Sequence, residues 1–123
     1  MLTEEYCDFE TSKLLKEKGF NPIECGMYYS IETGKKTTAL LTSLLACPTL
    51  QMAMKWLRDE KCYYIQVMLD SWACGGHLGY YVVIQKTDSD FEMMLQDAVD
   101  EVFYQTYEQA CEAAIKYCLE NLI

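Results

Sequence analysis

Basic side chains are scarce in this sequence. Its 123 residues include one histidine, His77, and one arginine, Arg58, and the formal net charge is −9. Proteins that bind nucleic acid through its phosphates need clustered Lys and Arg, so we expect no direct nucleic-acid binding. A single histidine also leaves most acid–base catalysis to carboxylates.

Long apolar runs are absent as well. No stretch approaches the roughly 20 consecutive apolar residues that a membrane-spanning helix needs. The first residues, MLTEEYCDFE, are acidic and polar, unlike the basic and then apolar start of a signal peptide. We therefore expect a cytoplasmic protein without a membrane segment.

Seven cysteines are present, but no CxxC pair occurs and their number is odd. A cytoplasmic protein keeps its thiols reduced, so we interpret these cysteines as small apolar residues rather than as disulfide partners. They lie at positions 7, 25, 47, 62, 74, 111 and 118.

The segment WACGGHLGYY, from Trp72 to Tyr81, is the one place where a thiol and the imidazole are close in sequence. Cys74 and His77 could form a nucleophilic pair or supply two zinc ligands. Zinc would need two further ligands, and no orienting group is evident nearby. Gly75 and Gly76 favour the tip of a hairpin instead. We therefore predict no catalytic residue, metal or cofactor, and treat Trp72 and His77 as contact residues.

Apolar periodicity and turn residues predict most of the elements. Gly19 is placed to end a first helix, and Gly34 to form a hairpin turn. Thr49 and Thr106 are candidate N-caps of two later helices. The predicted elements are a helix at Thr11–Phe20, strands at Met27–Glu32 and after Lys36, a helix from Thr49, strands at Cys62–Leu69 and Tyr80–Lys86, and a C-terminal helix.

Two segments allow two interpretations. The segment TALLTSLLA can form a strand or a helix. Ser89–Glu101 has helical apolar spacing and a possible capping box between Ser89 and Glu92, so we predict a helix there. A loop followed by a short strand is the alternative. A helix would gather its many carboxylates into a solvated acidic face.

Together these elements predict one α+β domain covering residues 1–123. We expect an antiparallel sheet of about four strands, formed by two hairpins, with the amphipathic helices packed mainly on one face. The two helix starts at Thr49 and Thr106 resemble each other, and each follows a candidate hairpin. A weak internal ββα repeat is therefore one hypothesis. The alternative is that two unrelated helices both use threonine as their N-cap.

Adjacent tyrosines occur in three of the candidate strands. Because neighbouring side chains in a strand face opposite sides, each pair sends one ring to each face. The core side of each strand is the side with more apolar residues, and this assigns Tyr29, Tyr63 and Tyr80 to the core. The other three tyrosines would line an outer surface if their strands share one sheet, and tyrosine is enriched at recognition surfaces. These predicted contact residues are Tyr28, Tyr64 and Tyr81.

The segments PTLQMAMKWLRDEK, TYEQACEAAIKYCLENLI and LLKEKGF resemble small acidic proteins of unassigned function encoded in prophages and other mobile elements of gut bacteria. The resemblance covers both ends of the chain and the middle helix, and its motifs are helix starts. It implies an accessory product of a mobile element that acts inside a bacterial cell, and it brings no catalytic residues.

We therefore expect a non-catalytic protein that binds a protein partner or forms a homo-oligomer through the tyrosine surface. Two alternatives remain. The acidic balance would suit a nucleic-acid-mimicking decoy or inhibitor of a host protein. An enzyme or metal protein that uses Cys74 and His77 is the third hypothesis.

Overall fold

The computed structural model describes residues 4–20, 27–31, 33–37, 44–70, 79–95 and 104–123. The last helix continues into a short π-helical segment, Cys118–Leu122. In chain order the elements are α1 (Phe9–Glu17), β1 (Tyr28–Ser30), β2 (Lys36–Thr37), β3 (Leu44–Ala46), α2 (Leu50–Lys61), β4 (Tyr63–Asp70), β5 (Gly79–Lys86), β6 (Glu92–Leu95) and α3 (Tyr107–Tyr117).

The described strands form two antiparallel sheets of three strands each. The first has the order β2-β1-β3, and the second has the order β4-β5-β6. The second sheet is built on a long hairpin, in which β4 and β5 pair from Tyr63↔Lys86 to Asp70↔Gly79. The predicted α+β class is therefore confirmed. The predicted sheet of about four strands is wrong, because the strands divide between two sheets.

Helix ends follow the predicted capping residues. The Thr49 hydroxyl accepts a hydrogen bond from the Met52 N–H at 3.1 Å, which satisfies one of the N–H groups left unpaired at the start of α2. Thr106 does the same for the Gln109 N–H, also at 3.1 Å. After α1, Gly19 adopts a φ of 103°, a left-handed conformation that glycine takes without a Cβ clash.

The helix predicted at Ser89–Glu101 is wrong where the structure describes it. Glu92–Leu95 is β6, which pairs with β5, so the alternative of a loop and a short strand holds for this part. Met93 packs against the core while Met94 is 61% exposed, which is the alternation of a strand. Pairing with β5 therefore outweighs the helical preference of this Met- and Leu-containing segment.

The main hydrophobic core lies between the helices and one face of the second sheet. Helices α2 and α3 pack against that face, whereas α1 packs against α3 and against β3 of the first sheet. The fully buried side chains in this core include Leu15 of α1, Leu57 of α2, Ile115 of α3, and Val82 and Ile84 of β5.

A smaller cluster holds the first sheet. It consists of Tyr29, Leu45 and Cys47, with Phe9 packed edge-on against the Tyr29 ring at 5.4 Å. The Tyr29 hydroxyl donates to the Cys7 carbonyl oxygen at 2.6 Å. Tyr29 and Tyr63 are thus buried, at 5% and 8% exposure, as their apolar company predicted.

Candidate binding site on the second sheet

The predicted contact residues Trp72 and His77 lie outside the described residues, as does Cys74, because residues 71–78 are among those the structure does not describe. Their roles stay predictions. Within the described residues, no group of three or more His, Cys, Asp or Glu side chains is placed to hold a metal ion.

The predicted tyrosine surface divides between the two sheets. Tyr28 lies on β1 in the first sheet, whereas Tyr64 and Tyr81 lie on β4 and β5 in the second. The sequence predicts that all three tyrosines line one surface if their strands share a sheet. Because β1 belongs to the first sheet, Tyr28 is not part of the surface that Tyr64 and Tyr81 share. The register keeps Tyr64 and Tyr81 on one face.

This face is the side of the second sheet opposite to the helices, and we call it the outer face. On β4 and β5 the pairs Tyr64↔Gln85, Gln66↔Val83 and Met68↔Tyr81 share it, because alternate residues of a strand point to the same side. The pairing of β5 with β6 adds the last members. The outer face comprises Tyr64, Gln66, Met68, Tyr81, Val83, Gln85, Glu92 and Met94.

One half of the outer face is polar. The Gln66 side-chain amide donates to the Gln85 side-chain oxygen, and the Gln85 amide donates to a Glu92 carboxylate oxygen at 3.0 Å. These bonds link all three strands and hold the long polar side chains in one arrangement. Tyr64 lies beside them, directly opposite Gln85.

The other half is apolar and rich in methionine. Met68 lies opposite Tyr81, and Val83 lies opposite Met94. Exposure is 39% for Met68, 61% for Met94 and 43% for Tyr64, although all three are large apolar side chains. Several exposed apolar side chains on one sheet face are typical of an interaction surface, whereas single exposed apolar residues are ordinary.

A groove of about 400 Å³ runs along the edge of the sheet where β4 lies, and we call it the edge groove. One wall is β4 itself, from Tyr64 to Met68. The opposite wall is a stripe of α2, and Tyr107 at the start of α3 is also part of the lining. The α2 residues that line the edge groove are Gln51, Met54, Lys55 and Arg58.

The edge groove is locally basic although the chain is acidic. Among the described residues that line it, Lys55 and Arg58 are the two charged ones, in a chain with net charge −9. Arg58 donates from Nε to Asp59 Oδ1 at 3.0 Å, and both side chains are about half exposed. Exposed ion pairs contribute little to stability, so this contact orients the guanidinium more than it stabilises the fold.

Tyr107 is held in place at the groove by two contacts. Its hydroxyl accepts a hydrogen bond from the Gln51 side chain at 3.2 Å, and its ring packs edge-on against Tyr80 at 6.1 Å. The hydrogen bond from Gln51 lowers the pKa of Tyr107, but burial and nearby acidic groups outweigh it, so the pKa lies above its usual value. The phenol therefore stays neutral and able to form hydrogen bonds.

Two of the described cysteines are unsuited to nucleophilic chemistry. All five, Cys7, Cys47, Cys62, Cys111 and Cys118, are outside disulfides. Burial raises the pKa of the Cys111 thiol to about 11 and that of the Cys118 thiol to about 12. Because the thiolate is the reactive form, these two thiols are inert at neutral pH.

Sequence reasoning identified Tyr64 and Tyr81 but missed the edge groove. Apolar residues at three- and four-residue spacing, Leu50, Ala53, Met54 and Leu57, predict the buried face of α2, although Met54 also lines the groove. The groove residues Lys55 and Arg58 lie on another side of the same helix, where charged residues are ordinary. No local signal reveals that this side faces a strand edge.

Comparison with known proteins adds no relative: the chain matches no family model, no curated protein and no solved structure. None of the helices in the described part of the chain is long and apolar enough to cross a membrane.

Proposed function

We propose that the chain is a non-catalytic binding protein that contacts a protein partner through the outer face. The observation that carries the proposal is that Tyr64, Met68 and Met94, three large apolar side chains on one face of the sheet, stay exposed. Methionine side chains adapt to varied contact shapes, and tyrosine adds a rigid ring with a hydroxyl. The proposal includes the setting that the resemblance of its helix starts implies, inside a bacterial cell as an accessory product of a mobile element.

The polar half of the outer face supports the same role. Its hydrogen bonds from Gln66 through Gln85 to Glu92 are already formed in the free protein. A partner therefore meets a surface whose polar side chains are ordered, which reduces the entropy lost on binding. The apolar half supplies the area to be buried.

A paired set of double variants tests this proposal. Tyr64→Ser with Met94→Ser changes the outer face at two exposed positions, so the core is left intact. Tyr28→Ser with Met52→Ser makes the same chemical changes on β1 and on α2, where Met52 is 40% exposed. Partners are first identified by mass spectrometry after affinity purification at low and moderate salt. Binding of an identified partner is then titrated.

We expect the outer-face double variant to weaken binding at least about tenfold, because exposed aromatic and Met anchors dominate such surfaces. The control double variant should bind within about twofold of the parent protein. Circular dichroism and urea unfolding establish that both variants are folded. Equal affinity of both double variants for the partner would contradict the proposal.

A further inference from the structure

The edge of β4 that faces the groove offers backbone hydrogen-bonding groups. On β5, the Lys86 N–H bonds to the Phe91 carbonyl oxygen, and Tyr80 exchanges two backbone bonds with Tyr104. The even-numbered residues of β5 therefore point their backbone groups away from β4, because the direction alternates along an antiparallel strand. The odd-numbered ones point towards it.

The register transfers this alternation to β4. Tyr64, Gln66 and Met68 lie opposite odd-numbered residues of β5 and bond to them. The N–H and C=O groups of Ile65 and Val67 consequently point to the opposite edge, into the edge groove that both residues line. No strand among the described residues pairs with this edge.

A strand edge beside a helix can accept an extended peptide as an additional strand. Main-chain hydrogen bonds supply affinity, and alternate side chains of the peptide supply specificity. In this groove one set of side chains would face the α2 stripe, with Met54, Lys55 and Arg58. The other set would continue the outer face beside Tyr64 and Met68.

The charges of the groove indicate which peptide fits. The side chains that face α2 would meet Lys55 and Arg58, and none of the described residues that line the groove is acidic. Carboxylates at alternate positions of the peptide would pair with Lys55 and with the N–H groups of Arg58 that its contact with Asp59 does not use. Apolar residues between them would extend the apolar surface of Tyr64 and Met68. On this basis we propose that β4 binds an extended acidic segment of a partner protein by β-strand addition; this rests on the proposed binding function and names its ligand.

A second copy of the chain fits this edge less well. Symmetric pairing of β4 with another β4 would bring Lys55 and Arg58 of two α2 helices to one interface.

The test measures binding of two fluorescein-labelled peptides by anisotropy at low salt. One is Val-Glu-Val-Glu-Val-Glu-Val, and in the other every Glu is replaced by Lys. The net charge of the whole protein favours the Lys peptide, whereas the groove favours the Glu peptide. We expect the Glu peptide to bind at least about tenfold more tightly. Tighter binding of the Lys peptide, or no saturable binding of the Glu peptide, would overturn the proposal.

Variants then locate the binding site. Val67→Pro removes one N–H that points into the groove and none that bonds to β5, so Glu-peptide binding should fall at least about tenfold. Val67→Ala removes side-chain volume but keeps that N–H, so the loss of affinity in Val67→Pro beyond that in Val67→Ala measures the contribution of the N–H. Lys55→Glu with Arg58→Glu, two exposed positions, should reverse the peptide preference, and circular dichroism checks that this variant and Val67→Pro are folded. Unchanged binding in Val67→Pro or in the charge variant would overturn the proposal.

Two further measurements test whether a second copy or another segment of the same chain pairs with the β4 edge. Sedimentation that shows a dimer of the parent protein but a monomer of Val67→Pro would assign the edge to a second copy and overturn the proposal. Strong amide-exchange protection of Ile65 and Val67 in a peptide-free monomer would mean that another part of the same chain pairs with the β4 edge, and this would also overturn the proposal. Fast exchange that slows on adding the Glu peptide is the expected result.

The proposed function can survive failure of this inference. A purified partner that binds Val67→Pro normally, but loses affinity for the Tyr64→Ser and Met94→Ser double variant, would remove strand addition and leave the outer-face function standing. Loss of affinity in Val67→Pro alone would support strand addition and contradict the outer face as the contact surface.

Discussion

At the scale of single residues, Glu112 of α3 ties that helix to the start of α1. Its Oε1 accepts hydrogen bonds from the Thr11 hydroxyl at 2.6 Å and from the Asp8 N–H at 3.1 Å. Burial raises the pKa of Glu112 above its usual value. Burial also acts to raise the pKa of Asp8, but hydrogen bonds from Thr11 and the charge of Lys116 outweigh it, so that pKa is lowered.

The two carboxylates therefore affect stability in opposite directions with pH. A raised pKa in the folded state means that the contribution of Glu112 is fully present below its ordinary value of 4.5 and is lost as pH rises above it. The lowered pKa of Asp8 gives a contribution that is present above 3.8 and is lost on acidification.

Substitution of Glu112 separates its charge from its hydrogen bonds. Glu112→Gln keeps an oxygen acceptor without the buried charge, so we expect it to be at least as stable as the parent at about pH 7, with the difference vanishing near pH 4. Glu112→Ala leaves the Thr11 hydroxyl and the Asp8 N–H without their acceptor and should cost about 1–3 kcal/mol. Urea unfolding at both pH values measures each effect. A Gln variant less stable than the parent at neutral pH would contradict the assignment.

At the scale of elements, two helices begin with the same residue in different surroundings. Thr49 is 6% exposed, and it also forms an isolated bridge with Tyr6, so the start of α2 is part of the packed interior. Thr106 starts α3 at an exposed position. At both sites the threonine hydroxyl accepts a hydrogen bond from the N–H three residues later.

Removing these two hydroxyls should therefore have unequal effects. Thr106→Ala should cost about 1 kcal/mol, the usual value for the loss of an N-cap. Thr49→Ala should cost more, because it also leaves a small cavity in buried surroundings. Thr→Ser at each site keeps the capping oxygen and serves as the control. Urea unfolding of the four variants measures the costs, and equal losses at the two sites would contradict this reasoning.

At the scale of the whole molecule, the two sheets differ greatly in how they are held. The second sheet has two strands of eight residues and contributes buried side chains to the main core with all three helices. The first sheet has strands of two or three residues around the small cluster of Tyr29, Leu45 and Cys47. Short strands with few buried contacts open more readily than long ones.

Native-state hydrogen exchange should show this difference. We expect the hydrogen-bonded amides of β1 and β3 to exchange through local opening at lower free energy than those of β4 and β5 that bond within the second sheet. The amides in the middle of α2, around Leu57, provide an internal reference for global unfolding. If the amides of both sheets exchange with the same free energy as Leu57, the molecule opens as one unit and this prediction is wrong.

The sequence by itself determined the local features of this protein. Thr49 and Thr106 cap helices and Gly19 takes a positive φ, because each depends on backbone groups within a few residues. The alternation from Tyr63 to Leu69 placed Tyr63 in the core and Tyr64 outside, since a strand with one buried face allows a single orientation. The α+β class follows from the same periodicities.

Only the tertiary structure decided how those elements meet. Ser89–Glu101 has helical apolar spacing, and the long-range pairing of Glu92–Leu95 with β5, rather than any local preference, selects the strand. The separation of Tyr28 from Tyr64 depends on which strands pair, and local residue patterns do not encode strand partners. The edge groove arises for the same reason: Lys55 and Arg58 line a cavity because α2 packs beside an outermost strand, a long-range contact that neither segment specifies alone.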